Sequence, residues 1–220
     1  MLPLRQKRRH SPWADSGGGD SRFGSIPGVI RTRVGYAGGT TKNPTYHQLG
    51  DHTESIQIDY DPTRISYEEL LNVFWKSHNP TIPSWSRQYM AVIFYHNDEQ
   101  KGLAIETKKR EEAKQQSRVF TEILPASEFY LAEAYHQKYY LQQVSALMKE
   151  FSAIYPDIKS FVASTAAARV NGYVAGYGTA ANLEEELDRL GLSDDGNKKL
   201  LDIAHLLRPD ESEGEICPVP

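Results

Sequence analysis

The 220 residues predict an α+β domain in which helices pack on one mixed sheet, because segments of strand and helix period are joined by both hairpin-like and helical connections. Three stretches carry that prediction. Ser55-Ile56-Gln57-Ile58-Asp59-Tyr60 alternates polar and apolar residues, as a half-buried strand does. Met90-Ala91-Val92-Ile93-Phe94-Tyr95 is a continuous apolar run of strand length and predicts a central strand. Between them, Ser66 to Ser77 predicts a helix. Leu70, Leu71, Phe74 and Trp75 share one face, Ser66 is placed to cap the first turn, and Glu69 completes a capping box.

The remaining elements follow in chain order. Residues 1–22 read as a disordered tail in which Arg5, Lys7, Arg8 and Arg9 precede Gly17-Gly18-Gly19. The basic cluster reads as solvated chain, with a targeting address as the alternative; it holds no apolar stretch long enough for a secretory signal. From Phe23 the pattern becomes ordered: Ile26-Pro27-Gly28 is a turn and Val29 to Val34 a strand. Asn97 opens a helix reaching about Gln116, whose Lys108 to Lys114 run is a solvated face of mixed sign. Val119 to Ile123 reads as a strand and Tyr130 to Leu147 as an aromatic-rich helix. Leu183 to Leu190 and Asn197 to Leu207 are two amphipathic helices, followed by a loose acidic tail. The expected organisation is therefore a tail (1–22), the main domain (23–178), a helical extension (179–209) and a second tail (210–220).

Composition narrows the function classes. A 39% hydrophobic content supports a sizeable core. A net charge of −4 gives no footprint for nucleic acid or an anionic membrane, and no apolar run approaches the roughly 20 residues of a membrane span. One cysteine, Cys217, excludes an intramolecular disulfide. Asn43-Pro44-Thr45 and Asn79-Pro80-Thr81 carry proline in the middle and are not glycosylation acceptors. An intracellular, cytoplasmic protein is expected, with a mitochondrial setting as the alternative. His47, His52, His78 and His136 have no metal-site spacing, so neutral hydrogen-bonding roles are expected and no metal.

The stretch from Gly35 to Glu54 is too poor in apolar residues for a core element and too patterned for a slack linker. Gly35, Gly38 and Gly39 permit a tight fold-back, and Asn43-Pro44 fixes an extended or turn dipeptide. The loop then presents Tyr46 and, after Gly50-Asp51, the carboxyl of Glu54 at the mouth of a strand. Spacing alone is equally the mark of a surface loop with a packed tyrosine and a solvated glutamate. The order Gly-Tyr-Ala-Gly-Gly, Asn-Pro-Thr-Tyr and His-Thr-Glu resembles the signature loop of the peptide methionine sulfoxide reductase A family. Further collinear matches are Tyr60-Asp61-Pro62, Phe74-Trp75, His78-Asn79-Pro80-Thr81, Arg87-Gln88-Tyr89 and the Phe129 to Gln137 segment. The resemblance runs from about Phe23 to Leu141. It implies that family's two-layer sandwich, with the fold's N-terminal strand expected to be missing here.

The activity implied is reduction of peptide-bound methionine-(S)-sulfoxide. A sulfoxide sulfur is a poor electrophile until its oxygen is hydrogen-bonded or protonated. By position in the family motifs Glu54 is the acid and Tyr46 and Tyr89 the hydroxyl donors, with Gly38 and Gly39 as substrate-binding residues; Trp85, in a stretch that departs from the family pattern, is a further substrate-binding candidate with simple packing as the alternative. The family's nucleophile lies in a Gly-Cys-Phe-Trp-Gly motif just before the segment matched by Asp20 to Gly24. Here Trp13-Ala14-Asp15-Ser16-Gly17-Gly18-Gly19 stands instead. Ser16 and Ser21 cannot pass through a sulfenic acid, and Val174 occupies a place where a resolving cysteine often stands. Cys217 is the one candidate thiol, disfavoured by Glu213 and Glu215 beside it. No bound cofactor is expected. Thioredoxin or a dithiothreitol-type reductant, and oxidised proteins or peptides as substrates, are implied as partners. Three readings stay open: a reductase impaired in turnover, a methionine-sulfoxide-binding module, and an inactive chain with an exposed sheet edge.

Overall fold

The computed structural model describes residues 16–207. It opens on a helix, α1 (Ser16–Gly24), so residues 16–22 are not part of a disordered tail. Residues 1–15 and 208–220, with Cys217, lie outside the described residues, as does any strand ahead of α1. Glycine is a poor helix former, which is why this stretch reads as slack. Its order comes from tertiary contacts. Asp20 and Ser21 are fully buried, and α1 lies close along α7 (Thr165–Val174). A Cβ on Gly24 would collide with the Ala168 backbone, and one on Gly172 with Ser25 and Ser21.

Asp20 is the centre of a buried polar cluster. Its carboxylate accepts from the Lys138 ammonium at 2.9 Å, the Lys138 amide at 2.9 Å, the Thr32 hydroxyl and the Asn171 amide at 3.2 Å. Lys138 also donates to the Thr32 carbonyl at 2.6 Å. Both charged side chains are 0% exposed. Lys138 adopts φ 50°, a left-handed conformation. That backbone reversal is one reason Tyr130 to Leu147 is not the single helix its aromatics suggest. The segment is instead a short strand β5 (Tyr130–Leu131), a 3₁₀ turn (Ala134–His136), α4 (Tyr139–Gln142) and the start of α5 (Ser145–Ile154).

The strands β1 (Val29–Ala37) and β2 (Thr53–Tyr60) pair antiparallel, and β5 adds to the other edge of β1. The strands β3 (Val92–Tyr95) and β4 (Glu122–Pro125) pair parallel with each other. The α+β class holds, but the sheet is divided into β2-β1-β5 and β3-β4. The apolar run at 90–95 is therefore not a central strand. β4 starts later than Val119, which is buried in the core instead.

The core has two main parts. In the first, α2 (Tyr67–Lys76) carries the predicted capping box at Ser66 and Glu69, a device stabilising the helix by about 1 kcal/mol. It buries Leu70, Leu71, Phe74 and Trp75 against Phe23, Val29 and Ile93, each worth roughly 1.5–3 kcal/mol. The helix α3 (Asp98–Gln115) covers this cluster through Ala104, with Asn97 as its N-cap. Its charged run is not wholly solvated: Glu111 is buried and Lys108 donates to the Thr121 carbonyl. The second part is helical. Leu141, Leu147, Phe151, Phe161 of α6 (Ile158–Ala163) and Val170 meet Leu183, Leu190 and Leu200. The last three come from α8 (Ala180–Glu186), the turn after it, and α9 (Asp194–Leu207). Asn171 to Val174 is the end of α7; Gly176 and Gly178 follow with φ of 83° and 81°.

Two predictions follow from the buried polar groups. Lys138→Met leaves the Asp20 carboxylate buried and unpaired, and should cost about 3–5 kcal/mol in chemical denaturation. His78 is pushed down to about 4, chiefly by burial and partly offset by its bond to the Phe74 carbonyl. Its folded value lies below the unfolded one, so the contribution to stability is present above pH 6.5 and is lost as pH falls towards 4. Urea titrations should show a drop of up to about 3 kcal/mol over that window that His78→Gln lacks.

Candidate active site

Three elements converge on one end of β1 and β2. Tyr36 on β1 stands opposite Glu54 on β2 in the register, so their side chains share a face. Tyr36 is buried, and its hydroxyl donates to Glu133 at 2.6 Å. The other oxygen of Glu133 accepts from the Tyr46 amide at 3.0 Å. One carboxylate thereby fixes both the strand phenol and the start of the loop carrying the second phenol. Burial acts to raise the Glu133 carboxyl, but these two hydrogen bonds, with one from its own backbone and the nearby His136, together hold it below the usual range. The same arrangement raises the Tyr36 phenol, by burial first and then by Glu133 and Glu54.

The Tyr89 phenol lies close to Tyr46 and Glu54. It is pushed up to about 12 by burial first, and then by the neighbouring Tyr46 and Glu54. The Tyr89 phenol therefore stays protonated at neutral pH and can donate. Glu54 is held through its backbone, which donates to the Gln88 carbonyl at 3.0 Å, and through Oε1, which accepts from the Gln88 amide at 2.6 Å. Residues 46, 54 and 89 are thus brought to one place. The Trp85 ring lies 5.1 Å from that of Tyr89, tilted by 53°, and is 78% exposed. It forms a rim rather than a buried wall.

Gly38 and Gly39 build the loop behind the cluster. Gly38 has φ 81°, and a Cβ there would lie 2.7 Å from the Phe94 ring. The Gly39 amide donates to His52 Nδ1 at 3.2 Å, which leaves Nε2 to donate to the Thr41 carbonyl at 2.8 Å. Asp51 accepts from the amides and hydroxyls of Thr40 and Thr41, and the Thr41 and Thr40 bonds hold its carboxyl far below the usual range. His136 packs its ring 4.8 Å from Tyr46. Among the described residues no group of three or more His, Cys, Asp or Glu side chains could hold a metal.

Sequence reasoning missed Tyr36, Gln88 and Glu133. Tyr36 reads as part of the glycine loop, because the predicted strand ends at Val34 whereas β1 runs to Ala37, and Glu133 lies 97 positions away. Nothing local joins them.

An α+β domain presenting paired phenols and a carboxyl on an ordered loop is the frame in which comparisons with known proteins take meaning. The family model described as "Peptide methionine sulfoxide reductase" matches residues 18–169, and "Selenoprotein methionine sulfoxide reductase A, helical domain" matches residues 159–200. The chain belongs to the peptide methionine sulfoxide reductase family. It is 43% identical to the peptide methionine sulfoxide reductase of Drosophila melanogaster over 178 residues, covering 80% of this chain and 71% of that protein. It is 41% identical to peptide methionine sulfoxide reductase A5 of rice (Oryza sativa subsp. japonica), covering 71% and 63%. Among solved structures, methionine sulfoxide reductase A of Corynebacterium diphtheriae superposes with TM-score 0.51 at 32% identity, covering 58% of this chain and 69% of that one. Mxr1 from Saccharomyces cerevisiae in reduced form superposes with TM-score 0.54 at 26% identity, covering 58% and 79%.

The coupling between Tyr36 and Glu133 is testable. Tyr36→Phe should cost about 1–2 kcal/mol, since it leaves a partly buried carboxylate oxygen without its phenol donor. The Glu133 carboxyl should then titrate higher, as followed by side-chain carboxyl NMR.

Proposed function

We propose that the cluster of Tyr46, Glu54 and Tyr89 binds the methionine-(S)-sulfoxide side chain of oxidised proteins or peptides, and that these 220 residues are impaired in reducing it. The observation that carries this reading is the convergence of two phenols, Tyr46 and Tyr89, with the Glu54 carboxyl at one solvent-reachable place. The phenol hydroxyls donate to the sulfoxide oxygen, and Glu54 supplies a proton to it. Trp85 lies against the substrate's apolar surface, and Gly38 and Gly39 let the loop approach closely.

Reduction requires a thiolate to attack the sulfur. The oxygen passes to the attacking sulfur as a sulfenic acid and the thioether leaves reduced. A second thiol then forms a disulfide and releases water. The net reductant is a dithiol of the thioredoxin or dithiothreitol type. Within this sequence the only thiol is Cys217, next to carboxylates that disfavour its thiolate. A binding module for methionine sulfoxide is therefore the second reading, favoured by the same count of cysteines. The relatives matched are longer than the matched stretch, 63% of the rice protein being covered, so their activity is carried to this chain as part of the proposal.

The test is calorimetric binding of a methionine-sulfoxide peptide alongside turnover with dithiothreitol. Glu54→Ala and Tyr46→Phe should each weaken binding about tenfold, or about 1.4 kcal/mol, with little turnover by any form. Binding should stay level between pH 6 and 9, because Tyr89 titrates near 12. Brisk turnover abolished by Cys217→Ser would overturn the impairment, and equal binding of sulfoxide and methionine peptides would overturn the site.

A further inference from the structure

Next to the candidate site lies a second concavity. It is an open groove of about 660 Å³ between residues 83–87, the chain leading into β4, and α3. That volume is within the roughly 300–1,000 Å³ of ligand-sized sites, so the groove has room for a few side chains. Trp85, Arg87, Lys108, Arg118, Phe120 and Thr121 line it.

Three of these side chains are cations, and none has a carboxylate within 4.0 Å among the described residues. The Lys108 ammonium is half-buried and donates to the Thr121 carbonyl at 2.7 Å. The Arg118 guanidinium lies 5.1 Å from the centre of the Phe120 ring. Arg87 donates to the Asp51 carbonyl at 3.2 Å and the Gly38 carbonyl at 3.4 Å, which ties the groove to the glycine loop. Two carboxylates also line the groove, but neither answers these cations. Glu112 accepts from the Val119 amide at 3.3 Å, and Glu122 makes no ion pair among the described residues. The Thr121 hydroxyl is a further open donor: the residue is 1% exposed and its Oγ1 has no partner. Buried donors of this kind are normally satisfied. A half-buried ammonium resting on a neutral carbonyl, beside an unmatched hydroxyl, is completed by an anionic acceptor.

Backbone pairing is not what the groove offers. The Glu122 and Ala126 amides turn to β3 carbonyls, so Thr121, Ile123 and Pro125 present the outer edge of β4. Lys108 already occupies the Thr121 carbonyl, and Pro125 has no N–H. Recognition there falls to side chains. The groove is also continuous with the candidate site, because the Trp85 ring that lines it lies against Tyr89. A polypeptide whose sulfoxide meets Tyr89 passes Trp85 and enters the groove. We propose that the groove binds an Asp or Glu side chain flanking the methionine sulfoxide of the substrate polypeptide. Lys108, Arg118 and the Thr121 hydroxyl hold the carboxylate, and acidic stretches of oxidised proteins are therefore the preferred substrates. The inference rests on the sulfoxide-binding reading of Tyr46, Glu54 and Tyr89, and adds to it a class of flanking sequence.

Calorimetry on the full chain tests it with three blocked peptides, in which methionine sulfoxide is flanked on both sides by glutamates, by glutamines or by lysines. At low salt the glutamate peptide should bind about fivefold tighter than the glutamine peptide. That advantage should shrink below about twofold in about 0.5 M sodium chloride, where exposed charges are screened. Arg118→Glu should reverse the order: the glutamate peptide weakens about fivefold and the lysine peptide tightens. The glutamine peptide should bind this variant as before, which shows that the fold and the sulfoxide site are intact. Lys108→Gln should weaken the glutamate peptide alone. Equal binding of all three peptides, each lost when methionine replaces the sulfoxide, would overturn the groove and leave the sulfoxide site standing. Absence of sulfoxide-dependent binding with every peptide would overturn both. A glutamate preference that survives Arg118→Glu combined with Lys108→Gln would place the recognition elsewhere and overturn the inference.

Discussion

A single buried carboxylate, Asp20, holds the elements of this domain in their relative positions. It binds Lys138 between β5 and α4, Thr32 on β1 and Asn171 on α7. Burying two opposite charges together is costly, and the attraction offsets that cost only when the remaining lone pairs and protons are also satisfied. Here they are: the Lys138 ammonium has three acceptors, and Asp20 has donors on both oxygens. The cluster therefore acts as a lock with one good arrangement. A shift of α1 along the sheet, or of β1 against α7, would leave a charge unpaired in the interior.

That lock reaches the candidate site through β1. Thr32 fixes the middle of the strand, and Tyr36 follows four residues on, where its phenol meets Glu133. Glu133 stands five residues before Lys138, so the segment anchored by the ammonium also aims the carboxylate that holds Tyr36 and the Tyr46 amide. The loop of residues 38 to 52 is then fastened at its other side by Asp51 and His52. Preorganisation of this kind matters for hydrogen-bond donors meant to meet a developing charge, because donors already in place need no reorganisation when the charge appears. In the proposed chemistry the phenols of residues 46 and 89 are such donors.

What the sequence discloses and what it withholds divide along the range of the interactions involved. The helix at 67–76 is legible because its cap, its acidic first turn and its apolar face lie within a dozen residues. The strand at 53–60 is legible for the same reason, and so is the placing of Tyr46, Glu54 and Tyr89 through the motifs around them. The helix at 16–24 is not, since glycine-rich chain predicts looseness and only burial against α7 and β1 orders it. Lys138 is hidden likewise: a lysine among tyrosines reads as a solvated helix position, and its partner lies 118 residues away. The divided sheet could not be foreseen from the apolar run at 90–95, because periodicity reports that a strand is buried but not what lies beside it.

The division of the sheet also bears on the site, because β2 belongs to both. Its first residues carry Glu54, and the edge that continues from Glu54 through Ile56 to Ile58 faces the apolar cavity between the two sheets. At Glu54 that edge is closed by Gln88, whose carbonyl takes the amide and whose side chain holds the carboxyl. Beyond it the edge has no backbone partner among the described residues. An edge strand paired on one side frays more readily than a central one, so the carboxyl proposed as the acid sits where a firmly paired loop gives way to a half-paired strand.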